Sequence, residues 1–447
     1  MSDDLVVIVP GITGSVLAPG GQPLWSLSAA ALRNGVLRTS AVLDSLTLPS
    51  DLEELSDFEE VAFDTPEVIR GIHVWPGFWQ GMGYGALIDR LESAVPGRVL
   101  CFPYDWRLPN AYTASKLRLF VEEALRRWPG RRVTFVCHSM GGLIARYYLE
   151  VLGGREHCAR LITIGTPFSG AVKAVKALTG GLYPRIPNVG ERVARVATTF
   201  PSVAELLPTY RCFDAGPGTE PLTLSEIDVP GLPNKLVLRG RRFHDELRQA
   251  VERNHAALRH GENSYPMHVF AGKLHVTDQS IAVDGSRLVY QQTQRGIDHA
   301  GDSTVPSFSA VPADWERDEN ALFRSAKHGP LVNHRDLLDD VIAKVTAREL
   351  GAILAPLDEL AVYLPEIASV AEPVDLTVIS DSPNMRLHAS IRDVDGHIHA
   401  SHIPLIPDGS GRRYVASMGL PLGLWQVRIE EITKHPQAFV EDLITIV

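Results

Sequence analysis

The sequence lacks most of the features that mark a chain for metal, nucleic acid or membrane. Cysteine is scarce: Cys101, Cys137, Cys158 and Cys212 lie far apart and form no CxxC pair. That argues against a zinc ribbon and a dense disulfide framework. A basic excess is missing too, since 43 Lys and Arg face 53 Asp and Glu, a formal net charge of −10. A net-acidic chain is a poor non-specific nucleic-acid binder, and no nucleic-acid partner is expected. No uninterrupted apolar run reaches the ~18 residues of a transmembrane helix. The opening MSDDLVVIVPG places two aspartates before a short apolar run, without the basic start and longer apolar stretch of a secretory signal. The expectation is a cytoplasmic protein that meets lipid, if at all, by peripheral contact. Internal repeats and low-complexity tracts are also absent.

What is present is an ordinary globular balance. Of 447 residues, 45% are hydrophobic and 21% charged, ample for a core and enough chain for two units or one large α/β unit with insertions. Leu5–Val9 is a continuous apolar, β-branched run ended by Pro10-Gly11, the texture of a buried parallel strand. Val133–Val136, Leu161–Ile164 and His268–Phe270 read the same way. Between them, Tyr112–Trp128 spaces Leu117, Phe120, Val121, Ala124 and Leu125 like an amphipathic helix, Leu143–Leu152 forms a second helix, and 335–348 a third. Strands alternating with helices predict a parallel sheet covered on both faces.

Two stretches break the rhythm. Residues 171–265, rich in Pro, Gly and Arg, lie between two predicted strands and read as an inserted cap. Residues 51–67 carry eight acids and no base, which fits a solvated loop or helix. After Pro373 the chain turns to short alternating runs, with turn signals at Asp395-Gly396 and Asp408-Gly409. This predicts a small β-sandwich. His397, His399 and His402 alternate along one of these runs without acids at ligand spacing, so no metal site is expected there. No cofactor is implied.

The strongest motif is Val133-Thr-Phe-Val-Cys137-His-Ser139-Met-Gly141-Gly142, a strand, a sharp turn and a helix. A serine hydroxyl is a weak nucleophile and must be held on a strained turn where a histidine reaches it. Glycine usually stands two residues before the serine; here it is Cys137, small enough to fit and read as a packing residue. An oxyanion needs backbone N–H donors. The amide of Met140 is one candidate, and Ile12 in Val9-Pro-Gly-Ile-Thr-Gly14 is the other. The aromatics of Trp75-Pro76-Gly77-Phe78 read as a pocket or lid lining. The acid and base should follow the serine in that order. Asp302, in Gly301-Asp-Ser-Thr-Val-Pro306, is the preferred acid over Asp278 and Asp298. His334, just before a predicted helix, is the preferred base, with His328 the runner-up.

These residues carry a resemblance. VPGITGS at 9–15, PYDWR at Pro103–Arg107, the CHSMGGLIAR elbow, ITIGTPFSG at Ile162–Gly170, GDSTVP at Gly301–Pro306 and the HG…NH stretch at 328–334 occur together and in order. In this the chain resembles the lecithin:cholesterol acyltransferase family of α/β-hydrolases, over about residues 5–350. The resemblance implies a Ser139-Asp302-His334 triad, oxyanion donors at Ile12 and Met140, and a lid (about 35–80) and cap (about 171–265) that receive acyl chains. It casts Tyr104, Asp105, Trp106 and Arg107 as support near the site. The implied fold class is α/β: an α/β-hydrolase domain over 1–365 and a C-terminal all-β domain over 370–447. The implied activity is hydrolysis or transfer of lipid acyl esters, of phospholipase A or acyltransferase type, through an acyl-enzyme. Two other readings stay open: a general carboxylesterase or triacylglycerol lipase, and an effector recruited through a β tail that docks another protein. Lys235–Arg259, with seven bases against three acids, offers a weakly basic surface for anionic lipid, although a solvated cap helix explains it equally well.

Overall fold

The computed structural model describes the chain except residues 1–2, 22–43, 50–51, 53–55, 72, 76–78, 82, 183–188, 259–264, 286, 316–320, 347–359, 395, 409 and 433–437. Much of the expected lid, including Pro76–Phe78, lies outside the described residues, as do Asp395 and Gly409 of the two expected turns.

A parallel sheet forms the centre. Its strands are β1 (Leu5–Val9), β2 (Val99–Cys101), β3 (Val133–His138), β4 (Cys158–Ile164), β5 (Met267–Gly272) and β6 (Ala321–Arg324), in the order β6-β5-β4-β3-β1-β2. Every neighbouring pair is parallel. β1 explains why such strands read as unbroken apolar runs. Leu5, Val7 and Val9 feed a core on one face, while Val6 and Ile8 feed a core on the other. Successive side chains point to opposite faces, so a strand covered on both sides has no solvated residue to place. The four strands expected from sequence are present. The two not expected, β2 and β6, are three and four residues long and sit at the two edges of the sheet. Their half-exposed positions leave too short a pattern to recognise.

Helices follow the sequence pattern closely. The helix Asn110–Arg127 buries Leu117, Val121 and Ala124. The helix Met140–Glu150 starts directly after Ser139. Among the described residues, 171–265 add no strand to the parallel sheet. They include helices Val172–Thr179, Val189–Ala197, Pro201–Ala204 and Asn234–Leu258. The long cap helix rests on Met140–Glu150 through a stacked Tyr147–Phe243 pair at 5.3 Å and a Tyr147 hydroxyl that donates to Glu246 at 2.8 Å.

The C-terminal region is a two-sheet β unit. One sheet has the order 360–363, 374–380, 413–418, 406–407; the other has 367–368, 439–446, 423–431, 387–393, 398–404. The two share one apolar core, to which Leu376, Val378 and Tyr414 contribute from the first and Ile391, Val427 and Ile444 from the second. Leu360–Tyr363 pairs antiparallel with Thr377–Ser380, so this unit already contains residues before the expected boundary at 365–370. No described helix is long and apolar enough to cross a membrane.

Candidate active site

The site forms at the C-terminal ends of the parallel strands, near where the strand order reverses between β1 and β3. Loops leaving neighbouring strands diverge there and open a crevice. Ser139 ends β3 with φ 52° and ψ −126°, a conformation that L-residues rarely adopt. Close backbone packing holds it. A Cβ on Gly141 would lie 2.4 Å from the Val9 carbonyl oxygen, and one on Gly142 would lie 2.0 Å from Thr166 Oγ1. Only glycine lets the elbow pack this tightly against β1 and against the loop after β4. Thr166 Oγ1 in turn donates to the Ser139 carbonyl at 2.9 Å. Cys137 sits in β3 with no exposed surface, and burial pushes its thiol well above the usual range. Its place is in the core, shielded from solvent.

Ser139 Oγ lies 2.8 Å from His328 Nε2, and His328 Nδ1 lies 2.6 Å from Asp302 Oδ2. All three are buried. The other oxygen of Asp302 accepts the N–H groups of Thr304 at 3.0 Å and Val305 at 2.7 Å. Burial by itself would raise the Asp302 carboxyl; His328 and these amides outweigh it and hold the group below its ordinary value. The imidazole is therefore fixed with Nδ1–H toward a carboxylate and Nε2 toward the serine. Such a line can accept a serine proton and stabilise the imidazolium that results.

The base position corrects the sequence expectation. His334, the preferred candidate, does not reach Ser139. It stands at the start of helix Arg335–Thr346, its ring stacked on Phe439 of the β unit at 6.2 Å. The unrecognised edge strand β6 ends at Arg324, and four residues later the chain delivers His328. A short helical turn, His328–Leu331, then carries His334 away. The rival acids are also occupied elsewhere: Asp278 pairs with Lys176, and Asp298 accepts from Gln279 and the Ala300 amide.

Ile12 and Ser139 line the same small cavity, about 20 Å³ among the described residues, together with Lys173, Leu206 and Val305. Met140 opens the helix behind the serine, so its N–H has no acceptor within that helix. The PYDWR stretch braces the Ile12 loop. Tyr104 donates its hydroxyl to the Pro10 carbonyl at 2.8 Å, Trp106 Nε1 donates to Ser15 O, and Arg107 and Asp105 form a buried ion pair at 2.6 Å. Two residues escaped the sequence reading. His138, just before the nucleophile, and Tyr84, at the start of a helix, form part of the site's polar framework. His138 could have been noticed as the polar end of an apolar strand; nothing local marks Tyr84.

Residues 83–221 match the family model described as lecithin:cholesterol acyltransferase. The chain resembles that family. The matched segment holds the PYDWR stretch, the elbow and the first half of the cap. Among characterised proteins, the phospholipid–sterol O-acyltransferase of Arabidopsis thaliana is 31% identical over 128 residues, covering 25% of this chain and 20% of that one. The lysosomal phospholipase A and acyltransferase of Homo sapiens is 31% identical over 94 residues, covering 20% and 23%. The chain thus covers about a fifth of the length of these curated relatives. Of solved structures, the mature Bacillus licheniformis lipase BlEst2 is 12% identical, covering 77% of this chain and 94% of that one, with a TM-score of 0.35.

Proposed function

We propose that the protein is a serine-dependent carboxylic-ester hydrolase or acyltransferase that acts on acyl esters of lipids. His328, oriented by Asp302, takes the Ser139 proton as the serine attacks the ester carbonyl. The amides of Ile12 and Met140 receive the oxyanion. The leaving alcohol takes the proton from His328, and water or a second alcohol then releases the acyl group by the same steps reversed. The observation that carries this reading is the unbroken line from Ser139 Oγ through His328 to Asp302, at 2.8 and 2.6 Å. The family segment at 83–221 supports lipid esters as the substrate class. We place the division between the catalytic unit and the β unit before Leu360, because among the described residues that strand pairs only within the β sheet.

The test is to incubate purified protein and Ser139→Ala with phospholipid vesicles, with and without a long-chain alcohol, and resolve products by mass spectrometry. Serine-dependent fatty acid and lysophospholipid would identify a phospholipase. Serine-dependent new esters would identify an acyltransferase. Undiminished ester cleavage by Ser139→Ala would remove the reading altogether.

A further inference from the structure

A single chain of hydrogen bonds joins the three loops of the site without passing through the triad. The Gly11 N–H donates to the Tyr84 hydroxyl oxygen at 2.8 Å. Tyr84 Oη lies 2.8 Å from His138 Nδ1. His138 Nε2 lies 3.1 Å from the carbonyl oxygen of His328. All three contacts are buried.

With His138 as a neutral imidazole, chemistry fixes the direction of every link. A carbonyl oxygen only accepts, so His138 Nε2 carries the proton and donates to His328 O. In that neutral tautomer Nδ1 is an acceptor, and Tyr84 donates its O–H there. That leaves a lone pair on the same oxygen for the Gly11 amide. Burial raises the Tyr84 phenol, which keeps it a neutral donor. Each atom in the chain has the role its partner requires.

The chain's ends give it meaning. Gly11 is the residue before Ile12, which lines the nucleophile cavity together with Ser139. His138 is the residue before Ser139. The last acceptor is the backbone of His328 itself. Packing tightens the same contacts: a Cβ on Gly11 would lie 2.9 Å from Ser139 Cβ and 3.2 Å from His138 Nδ1, and one on Gly14 would lie 2.9 Å from the Tyr84 ring. The His138 and His328 rings are 5.0 Å apart.

We infer that Tyr84 and His138 are positioning residues for the ester chemistry: through the Gly11–Tyr84–His138–His328 hydrogen-bond chain they set the oxyanion loop against the nucleophile and base. Neither lines the nucleophile cavity among the described residues. This inference rests on the proposed function. A loop displaced by a fraction of an ångström still binds the ester but meets the developing oxyanion poorly, so the loss falls on kcat rather than KM.

The experiment measures p-nitrophenyl ester hydrolysis by Tyr84→Phe, His138→Leu, the double variant and His138→Gln, with Ser139→Ala alongside. Competent serines are counted with a fluorophosphonate, so that kcat is per active site and misfolded protein does not enter. Tyr84→Phe and His138→Leu should each lower kcat by roughly 10- to 100-fold, with KM within about twofold. Because both cut one chain, the double variant should be no worse than the poorer single, whereas independent effects would multiply. His138→Gln, which restores a donor toward the His328 carbonyl, should recover part of the His138→Leu loss. Unchanged kcat per titrated site in Tyr84→Phe, or multiplying losses in the double variant, would overturn the inference. If Tyr84→Phe gives no folded protein, the comparison of His138→Gln with His138→Leu decides: equal losses count against it. Activity retained by Ser139→Ala would instead sink the proposed function, a separate failure.

Discussion

Lys327, the residue immediately before His328, forms a largely buried ion pair with Asp442 on the last strand of the β unit. The Lys327 ammonium also donates to the Leu364 carbonyl at 3.1 Å. Nearby, Ser325 Oγ donates to Leu360 O at 2.8 Å, and Lys173, in the wall of the nucleophile cavity, pairs with Glu366 at 2.7 Å. The β unit thus grips the loop that delivers the base and one wall of the pocket. Burial raises the Asp442 carboxyl, although Lys327 pulls it the other way.

Removing one member of this pair leaves the other charge buried and alone. Asp442→Asn should therefore destabilise the protein by about 3–5 kcal/mol, whereas the paired change Lys327→Met with Asp442→Leu should recover most of that loss. Urea unfolding of the three proteins checks this. A change under ~0.5 kcal/mol for Asp442→Asn would show that the pair does not anchor the loop.

The two histidines six residues apart should separate completely in activity. His328→Ala should lower kcat/KM by about three orders of magnitude or more, as expected for loss of the general base of a serine nucleophile. His334→Ala should stay within about threefold, its cost appearing as stability through the lost Phe439 contact. Steady-state ester hydrolysis on both variants decides, and comparable losses at the two positions would contradict the assignment.

Glu205 carries a pH dependence of stability. Its carboxylate is buried, accepts the Asn110 amide at 2.7 Å, and is pushed up to about 8, by burial first, with the amide and Arg239 opposing. A carboxyl raised in the folded state binds a proton that the unfolded chain has already lost. Its stabilising contribution is complete below about pH 4.5, declines as pH rises, and is gone above about pH 8. The full swing is on the order of 4–5 kcal/mol. Glu205→Gln keeps an acceptor for the Asn110 amide and cannot ionise, so it should be the more stable protein at pH 8.5 and near parity at pH 4.5. Thermal unfolding across that range would count against the argument if the two curves ran parallel.

The nucleophile cavity, about 20 Å³ among the described residues, has little room for an acyl chain beside Val203 and Leu206. Leu206→Ala should raise the kcat/KM ratio of an octanoate to an acetate ester by several-fold, because it enlarges the space beside Ser139 where the chain must lie. A chain-length series of p-nitrophenyl esters measures this. An unaltered ratio would mean that acyl chains leave the site by another face.

What the sequence determined on its own is local. Leu5–Val9 and Val133–Val136 had to be strands buried on both faces, since no other element makes use of an unbroken β-branched run with Pro-Gly or a glycine turn at its end. The same logic singles out Ser139 as a candidate nucleophile, because the glycines after it announce a turn that only a close strand–helix approach requires. The Gly-Asp turn likewise singles out Asp302 as a candidate acid. The edge strands are too short to show in the sequence pattern, and without β6 nothing local favours His328 over His334, which merely precedes a helix. Only the tertiary structure decided the rest. Ser139 and His328 are 189 residues apart, and which of two nearby histidines meets the serine depends on where β6 ends and which way the next turn points. The Tyr84–His138 link and the Lys327–Asp442 pair span 54 and 115 residues. No periodicity records such contacts, because they arise where separate elements happen to converge after each has satisfied its own local pattern.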